Sequence, residues 1–170
     1  MASRIRAAVF DRLQAQVVGA RVLDLFAGSG AIAFEALSRG AASATLVEAD
    51  PRVVRHLRSQ AAELGLAEVV EIVRGELPGA LARGPGGARF DLVTIDPPFA
   101  RPDVFGPVVQ GLVDYGWVGP GALVVCESQR VRGTSAAGPW PAAVVLSASR
   151  VYGQAQVDFL TIPDDGQPSP

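Results

Sequence analysis

The sequence predicts an α/β protein: a seven-stranded, mostly parallel sheet with helices on both faces and a C-terminal antiparallel hairpin. Three observations carry this. From Arg21 onward, short apolar runs alternate with helical patterns, as a sheet built from βαβ units requires. A glycine-rich segment joins the first such run to the first such helix. The last two runs are separated only by Tyr152-Gly153-Gln154, a length that allows a hairpin and no crossover, so one of them runs against the rest.

Ahead of the sheet, Ser3 to Leu13 places Ile5, Ala8, Val9 and Leu13 at helical spacing and the arginines elsewhere, predicting an amphipathic lead-in helix within residues 1–20. Strands follow at Val22–Phe26, Ala44–Glu48, Val69–Val73, Leu92–Ile95, Leu123–Glu127, Val144–Ser147 and Val157–Ile162. Helices are expected at Gly30–Arg39, stopped by Gly40, at Pro51–Leu64, stopped by Gly65, and at Leu77–Arg83 and Pro102–Leu112. Glycine and proline make loops of Arg83–Arg89 and Arg130–Pro141. A single domain over residues 1–162 is expected, followed by a polar, proline-rich tail, 163–170, expected to be disordered.

The apolar content of 49% is spread in short runs, none near the roughly 20 residues a membrane span needs. Without a secretory signal pattern at its start, the chain is expected in the cytoplasm, with no membrane partner. The one cysteine, Cys126, excludes an internal disulfide and a cysteine-rich metal cluster, and no metal is expected. A formal charge of −2 gives no global attraction to phosphate, so any nucleic acid must be held locally.

The run "VLDLFAGSGAIAFEAL" (Val22 to Leu37) passes from strand through a glycine loop into a helix. Gly28 and Gly30 let the backbone turn tightly and approach a ligand, and the helix start offers free N–H groups. Glu48 ends the next strand about 20 residues later, where a carboxylate can accept both hydroxyls of a ribose. These two features suit NAD and S-adenosylmethionine alike. Asp24 separates them: a carboxylate at the end of the first strand repels a pyrophosphate and welcomes a cationic methionine end. Gly75 and Glu76, after the third strand, reach the same cleft and are candidates to read an adenine amine, although Glu76 is as easily an ordinary helix-start acid.

Strand four ends in "TIDPPFA" (Thr94 to Ala100), beside the first strand, so Asp96 faces the cofactor at the switch point. Pro97 and Pro98 fix the backbone and leave their carbonyls as free acceptors, and Phe99 offers a flat apolar face. A carboxylate and a carbonyl gripping the two protons of a nucleobase amine favour a pyramidal, nucleophilic nitrogen, and the ring stacks on the extruded base. Methyl transfer to cytosine C5 is excluded, because it needs a cysteine nucleophile and Cys126 lies inside strand five without a preceding proline.

Together "DLFAGSG" (Asp24 to Gly30), "EALSRGA" (Glu35 to Ala41), "VEAD" (Val47 to Asp50) and "DPPF" (Asp96 to Phe99) resemble the bacterial 16S rRNA guanine-N2 methyltransferases, the RsmD-like family. The likeness continues through "SRIRAAVFDRL", "DYGWV", "CES" and "VYGQAQVDFL", over almost the whole chain. It implies a class I (Rossmann-like) methyltransferase fold, with S-adenosyl-L-methionine as donor and S-adenosyl-L-homocysteine as product. It also implies guanine N2 of 16S rRNA as acceptor, and Asp96, Pro97, Pro98 and Phe99 as the catalytic loop. The cofactor set is then Asp24, Phe26, Ala27, Gly28, Ser29, Gly30, Glu48, Ala49, Gly75, Glu76 and Asp96. Relatives carry a basic hairpin before the lead-in helix, where this sequence has only Met1 to Ser3, so Arg4, Arg6, Arg101, Arg130 and Arg132 are the candidate RNA contacts. The partner is 16S rRNA or the small subunit, and the protein is expected to be a monomer. Two other readings stay open: a methyltransferase for another nucleic-acid or protein amine, and a non-catalytic relative that binds S-adenosylmethionine or RNA.

Overall fold

The computed structural model describes residues 1–98, 101–131, 134–135 and 138–163. Phe99, Arg132 and the tail residues 164–170 lie outside the described residues. In chain order the elements are α1 (Ser3–Leu13), β1 (Arg21–Leu25), α2 (Ala31–Ser38), β2 (Ser43–Glu48), α3 (Pro51–Glu63), β3 (Val70–Arg74), β4 (Phe90–Ile95), α4 (Phe105–Asp114), β5 (Val118–Val131), β6 (Thr134–Ser135), β7 (Val145–Tyr152) and β8 (Ala155–Thr161). Seven strands lie side by side in the order β3-β2-β1-β4-β5-β8-β7. Strands β1 to β5 are mutually parallel, and β8 runs antiparallel to both its neighbours. The short strand β6 folds back on the end of β5.

Local chemistry explains most boundaries. Asp50 caps α3 by accepting the Arg52 N–H at 2.7 Å, Pro51 takes the first position, and Gly65 follows the end at φ +69°. Val54, Leu57 and Ala61 form its buried stripe. In α1 the buried side chains are Val9, Phe10 and Leu13.

Alternation along the strands sends Leu23, Leu25, Val93 and Ile95 to one face, where they pack with α4 and Trp117. Val22, Leu92, Val125 and Val157 go to the other, against α1, α2 and α3. Among the described residues no helix is long and apolar enough to cross a membrane.

Two expectations need correction. Leu77–Arg83 is no α-helix: Gly79–Arg83 forms a 3₁₀ turn, since Pro78 lacks an N–H and the bonds close over three residues, as from Leu81 N–H to the Pro78 carbonyl. The Trp117 indole N–H also donates to the Leu81 carbonyl at 2.9 Å, fixing the turn on the core. Strand β5 begins earlier and ends later than its apolar run, reaching Val131 inside the expected loop, because β8 and β6 supply partners to its polar end.

Candidate active site

The order β3-β2-β1-β4-β5 reverses direction between β1 and β4, and the loops after both strands open onto one cleft of about 600 Å³. Its walls come from Phe26 to Ser29 after β1, Glu48 and Ala49 at the end of β2, Gly75 to Leu77 after β3, and Asp96 to Pro98 after β4. Nine of the eleven residues expected to bind a cofactor therefore line one space. Asp24 and Gly30 are not part of its lining.

The glycine loop is shaped for close approach. Phe26, Gly28 and Gly30 all take positive φ, at 62°, 51° and 72°. At Phe26 this conformation costs of order 1–3 kcal/mol, held by the core around it. Gly30 has no room for a side chain, because an added Cβ would lie 2.7 Å from both Leu57 Cδ2 and Phe34 Cε2.

Glu48 ties the first two loops together. One carboxylate oxygen accepts the Gly28 N–H at 2.9 Å, and the other accepts the N–H groups of Ala49 and Asp50 at 2.8 and 3.0 Å. These bonds use three of the carboxylate's roughly four lone pairs, so Oε2 can still receive one ribose hydroxyl from the cleft.

Asp24 is buried on the α1–α2 face of the sheet, level with Thr94 on β4. The Thr94 hydroxyl donates to its Oδ1 at 2.7 Å, while Oδ2 has no hydrogen-bond partner. Burial pushes its carboxyl up to about 7, against the opposing pull of Thr94, the Ala33 backbone and the nearby Met1 amine.

Asp96 follows Ile95, which pairs with Cys126 on β5, so Asp96, just past the end of β4, stands beside Glu127 within β5. The Met1 amino group hydrogen-bonds the Asp96 carboxylate and lies 3.5 Å from Glu127 Oε2. That longer contact is within ion-pair range but makes no hydrogen bond, and Glu127 Oε2 is otherwise unpartnered. Burial raises the Glu127 carboxyl, partly offset by the amine. Pro97 and Pro98 line the large cleft and also a second recess of about 110 Å³, bordered by Phe105, Glu127 and Ser128. The rigid turn is thus a wall shared by two spaces.

The arginines expected at RNA divide. Arg4 and Arg130 are exposed. Arg6 donates to Glu35 at 2.6 Å, so its charge is already paired on α2. Arg101 lines the cofactor cleft and lies 3.6 Å from Asp103. Sequence reasoning did not single out Glu127, which the fold brings beside Asp96. The available signal was that β5 ends its apolar run in an acid, as β2 does at Glu48 and β4 at Asp96.

Residues 1–161 match the family model described as conserved hypothetical protein 95. Ribosomal RNA small subunit methyltransferase D of Escherichia coli (strain K12) is 36% identical over 151 residues, covering 89% of this chain and 73% of the relative. The protein of that name from Haemophilus influenzae is 30% identical over 128 residues, covering 75% and 66%. Among solved structures, Escherichia coli yhhF aligns with a TM-score of 0.85 at 34% identity, over 96% of this chain and 87% of that one. An RNA methyltransferase from Salinibacter ruber, solved with S-adenosyl-L-homocysteine, shares the fold at a TM-score of 0.73 and 22% identity, over 99% and 97%. The architecture is the Rossmann-like class I fold of S-adenosylmethionine-dependent methyltransferases.

Proposed function

The chain belongs to the conserved hypothetical protein 95 family, that of ribosomal RNA small subunit methyltransferase D, and we propose that it methylates the exocyclic N2 of a guanine in 16S rRNA with S-adenosylmethionine as donor. The observation that carries this reading is the position of Asp96. Its carboxylate follows β4 at the switch point and lines the cofactor-sized cleft, and the next two residues, Pro97 and Pro98, form the wall between that cleft and a smaller recess.

The cleft suits the cofactor chemically. Glu48, Glu76 and Asp96 bring three carboxylates to its lining against two cations, the Arg101 guanidinium and the Met1 amine. A pyrophosphate would meet this excess of negative charge, whereas a cofactor with a sulfonium and an ammonium is favoured by it. In this reading Glu48 holds a ribose hydroxyl, Phe26 and Ile32 give apolar contact, and Gly75 and Glu76 border the adenine. When bound, S-adenosylmethionine supplies an electrophilic methyl group.

The protein's part is positioning and acceptance of protons. Asp96 accepts one N–H of the target amine and the Pro97 carbonyl the other, which keeps the nitrogen lone pair out of conjugation with the ring. As the N–C bond forms, the nitrogen sheds one proton, and Asp96 is the base within reach. The stiffness of Pro97 and Pro98 sets these acceptors before the base arrives. Phe99 is assigned the stacking role. Exposed Arg4 and Arg130 suit phosphate contacts. The protein works as a cytoplasmic monomer in this reading, and among the described residues no cluster of His, Cys, Asp or Glu is arranged to hold a metal.

Labelled-methyl transfer to small subunits from a strain lacking the modification, followed by nucleoside mass spectrometry, tests the assignment. N2-methylguanosine is expected. Asp96→Ala should lose at least about 100-fold in turnover while keeping its affinity for S-adenosyl-L-homocysteine in calorimetry. A different methylated nucleoside, or turnover unchanged in the variant, would refute it.

A further inference from the structure

Glu127 is the buried polar group that the mechanism above leaves unused. Its side chain is 3% exposed, yet Oε2 has no hydrogen bond, and the adjacent Ser128 hydroxyl is likewise buried without a partner. Glu127 borders the recess behind Pro97 and Pro98, and the Ser128 side chain, next along β5, points to the opposite face of the sheet. Burying a polar atom without a full hydrogen bond costs of order 1–3 kcal/mol, and Glu127 Oε2 has only the 3.5 Å contact with the Met1 amine, so its carboxylate points to a polar ligand that completes it.

The donor pattern of that ligand follows from the register. Asp96 follows the end of β4 and Glu127 lies within β5, each one position past the Ile95–Cys126 pair, and alternation from Cys126, which faces the α4 side, sends the Glu127 carboxylate to the opposite face. One nitrogen, that of Met1, contacts the Asp96 carboxylate and lies 3.5 Å from Glu127 Oε2, so both acids reach a single small group. Two carboxylates this close can take two neighbouring donors of one ligand.

Guanine has them. Its Watson–Crick edge presents N2–H₂ next to N1–H, whereas adenine and cytosine present their amine next to a bare ring nitrogen. Facing Glu127, that ring nitrogen would set lone pair against lone pair in a buried place.

We propose that Glu127 accepts the N1–H of the target guanine while Asp96 accepts from N2, making Glu127 the residue that selects guanine over bases whose ring nitrogen is an acceptor. This rests on the methyltransferase reading above. It goes further in assigning base selection to a group outside the Asp-Pro-Pro-Phe turn.

The test uses small subunits reconstituted on synthetic 16S rRNA, carrying either guanosine or 2-aminopurine ribonucleoside at the position found by mass spectrometry. 2-Aminopurine keeps the reactive amine but has a bare ring N1. The wild-type enzyme should methylate it roughly 10- to 100-fold less efficiently in kcat/KM, the range for one well-made base contact. Glu127→Gln can turn an amide N–H toward N1, so it should close most of that gap while binding S-adenosyl-L-homocysteine with wild-type affinity. Equal wild-type efficiency on the two bases overturns the proposal without needing any variant to fold, as does full guanine preference retained in Glu127→Gln. Absence of N2-methylguanosine on the guanosine substrate would instead sink the underlying reading.

Discussion

Replacing Asp24 by asparagine should stabilise the cofactor-free protein at pH 8 and leave it nearly unchanged at pH 5. The Asp24 carboxyl rises from 3.8 to about 7 because its charged form is buried with one oxygen unpaired. At 1.36 kcal/mol per pH unit, this amounts to about 4 kcal/mol. Between pH 3.8 and 7 the folded protein keeps a proton that the unfolded chain has released. Stability from this group is therefore full below pH 3.8 and is lost progressively as the pH rises to about 7. Asparagine is neutral throughout, keeps an acceptor for the Thr94 hydroxyl, and leaves its amide N–H₂ without an acceptor, at about 1–3 kcal/mol. The net expectation at pH 8 is a gain of about 1–3 kcal/mol over wild type. Urea unfolding of both proteins at pH 5 and pH 8 measures it. A difference between the two proteins that does not change with pH would refute the reasoning. Under the proposed function a second consequence follows: a cationic cofactor beside Asp24 favours its charged form, so wild-type affinity for S-adenosylmethionine should rise over this range and that of Asp24→Asn should not.

Two further substitutions probe the glycine loop. Glu48→Ala removes the acceptor of three backbone N–H groups and the proposed ribose ligand, so affinity for S-adenosyl-L-homocysteine should fall roughly 10- to 100-fold in calorimetry. Unchanged affinity would remove Glu48 from the site. Gly30→Ala meets both a positive φ and two side-chain carbons at 2.7 Å, so it should cost about 2–4 kcal/mol in urea unfolding, whereas Gly28→Ala, with nothing nearer than 3.9 Å, should cost about 1–2 kcal/mol. Equal losses in the two variants would mean that the space around Gly30 relaxes freely.

The elements were legible wherever a local rule fixes them. Asp50-Pro51 starts α3 and Gly65 follows its end, through groups only a few residues apart. The hairpin of β7 and β8 was visible from the shortness of its link, and strand β4 from an apolar run halted by two prolines. The Leu77–Arg83 segment misled because its apolar spacing serves a 3₁₀ turn as well as an α-helix, and the Trp117 indole that holds the turn comes from 36 residues away. Arg6 carried no sign of its partner, since Glu35 meets it only when α1 packs beside α2.

The sequence by itself determined the alternation of strands and helices, the glycine loop, and the acids that end β2 and β4, because backbone sterics, caps and hydrophobic period act within a few residues. Only the tertiary structure decided that Asp24 meets Thr94, and that Glu127 comes level with Asp96. Both depend on the register of β4 against β1 and β5. Register is set by how whole faces of the sheet bury against helices, and a slip of one residue would turn each of these carboxylates to the other side.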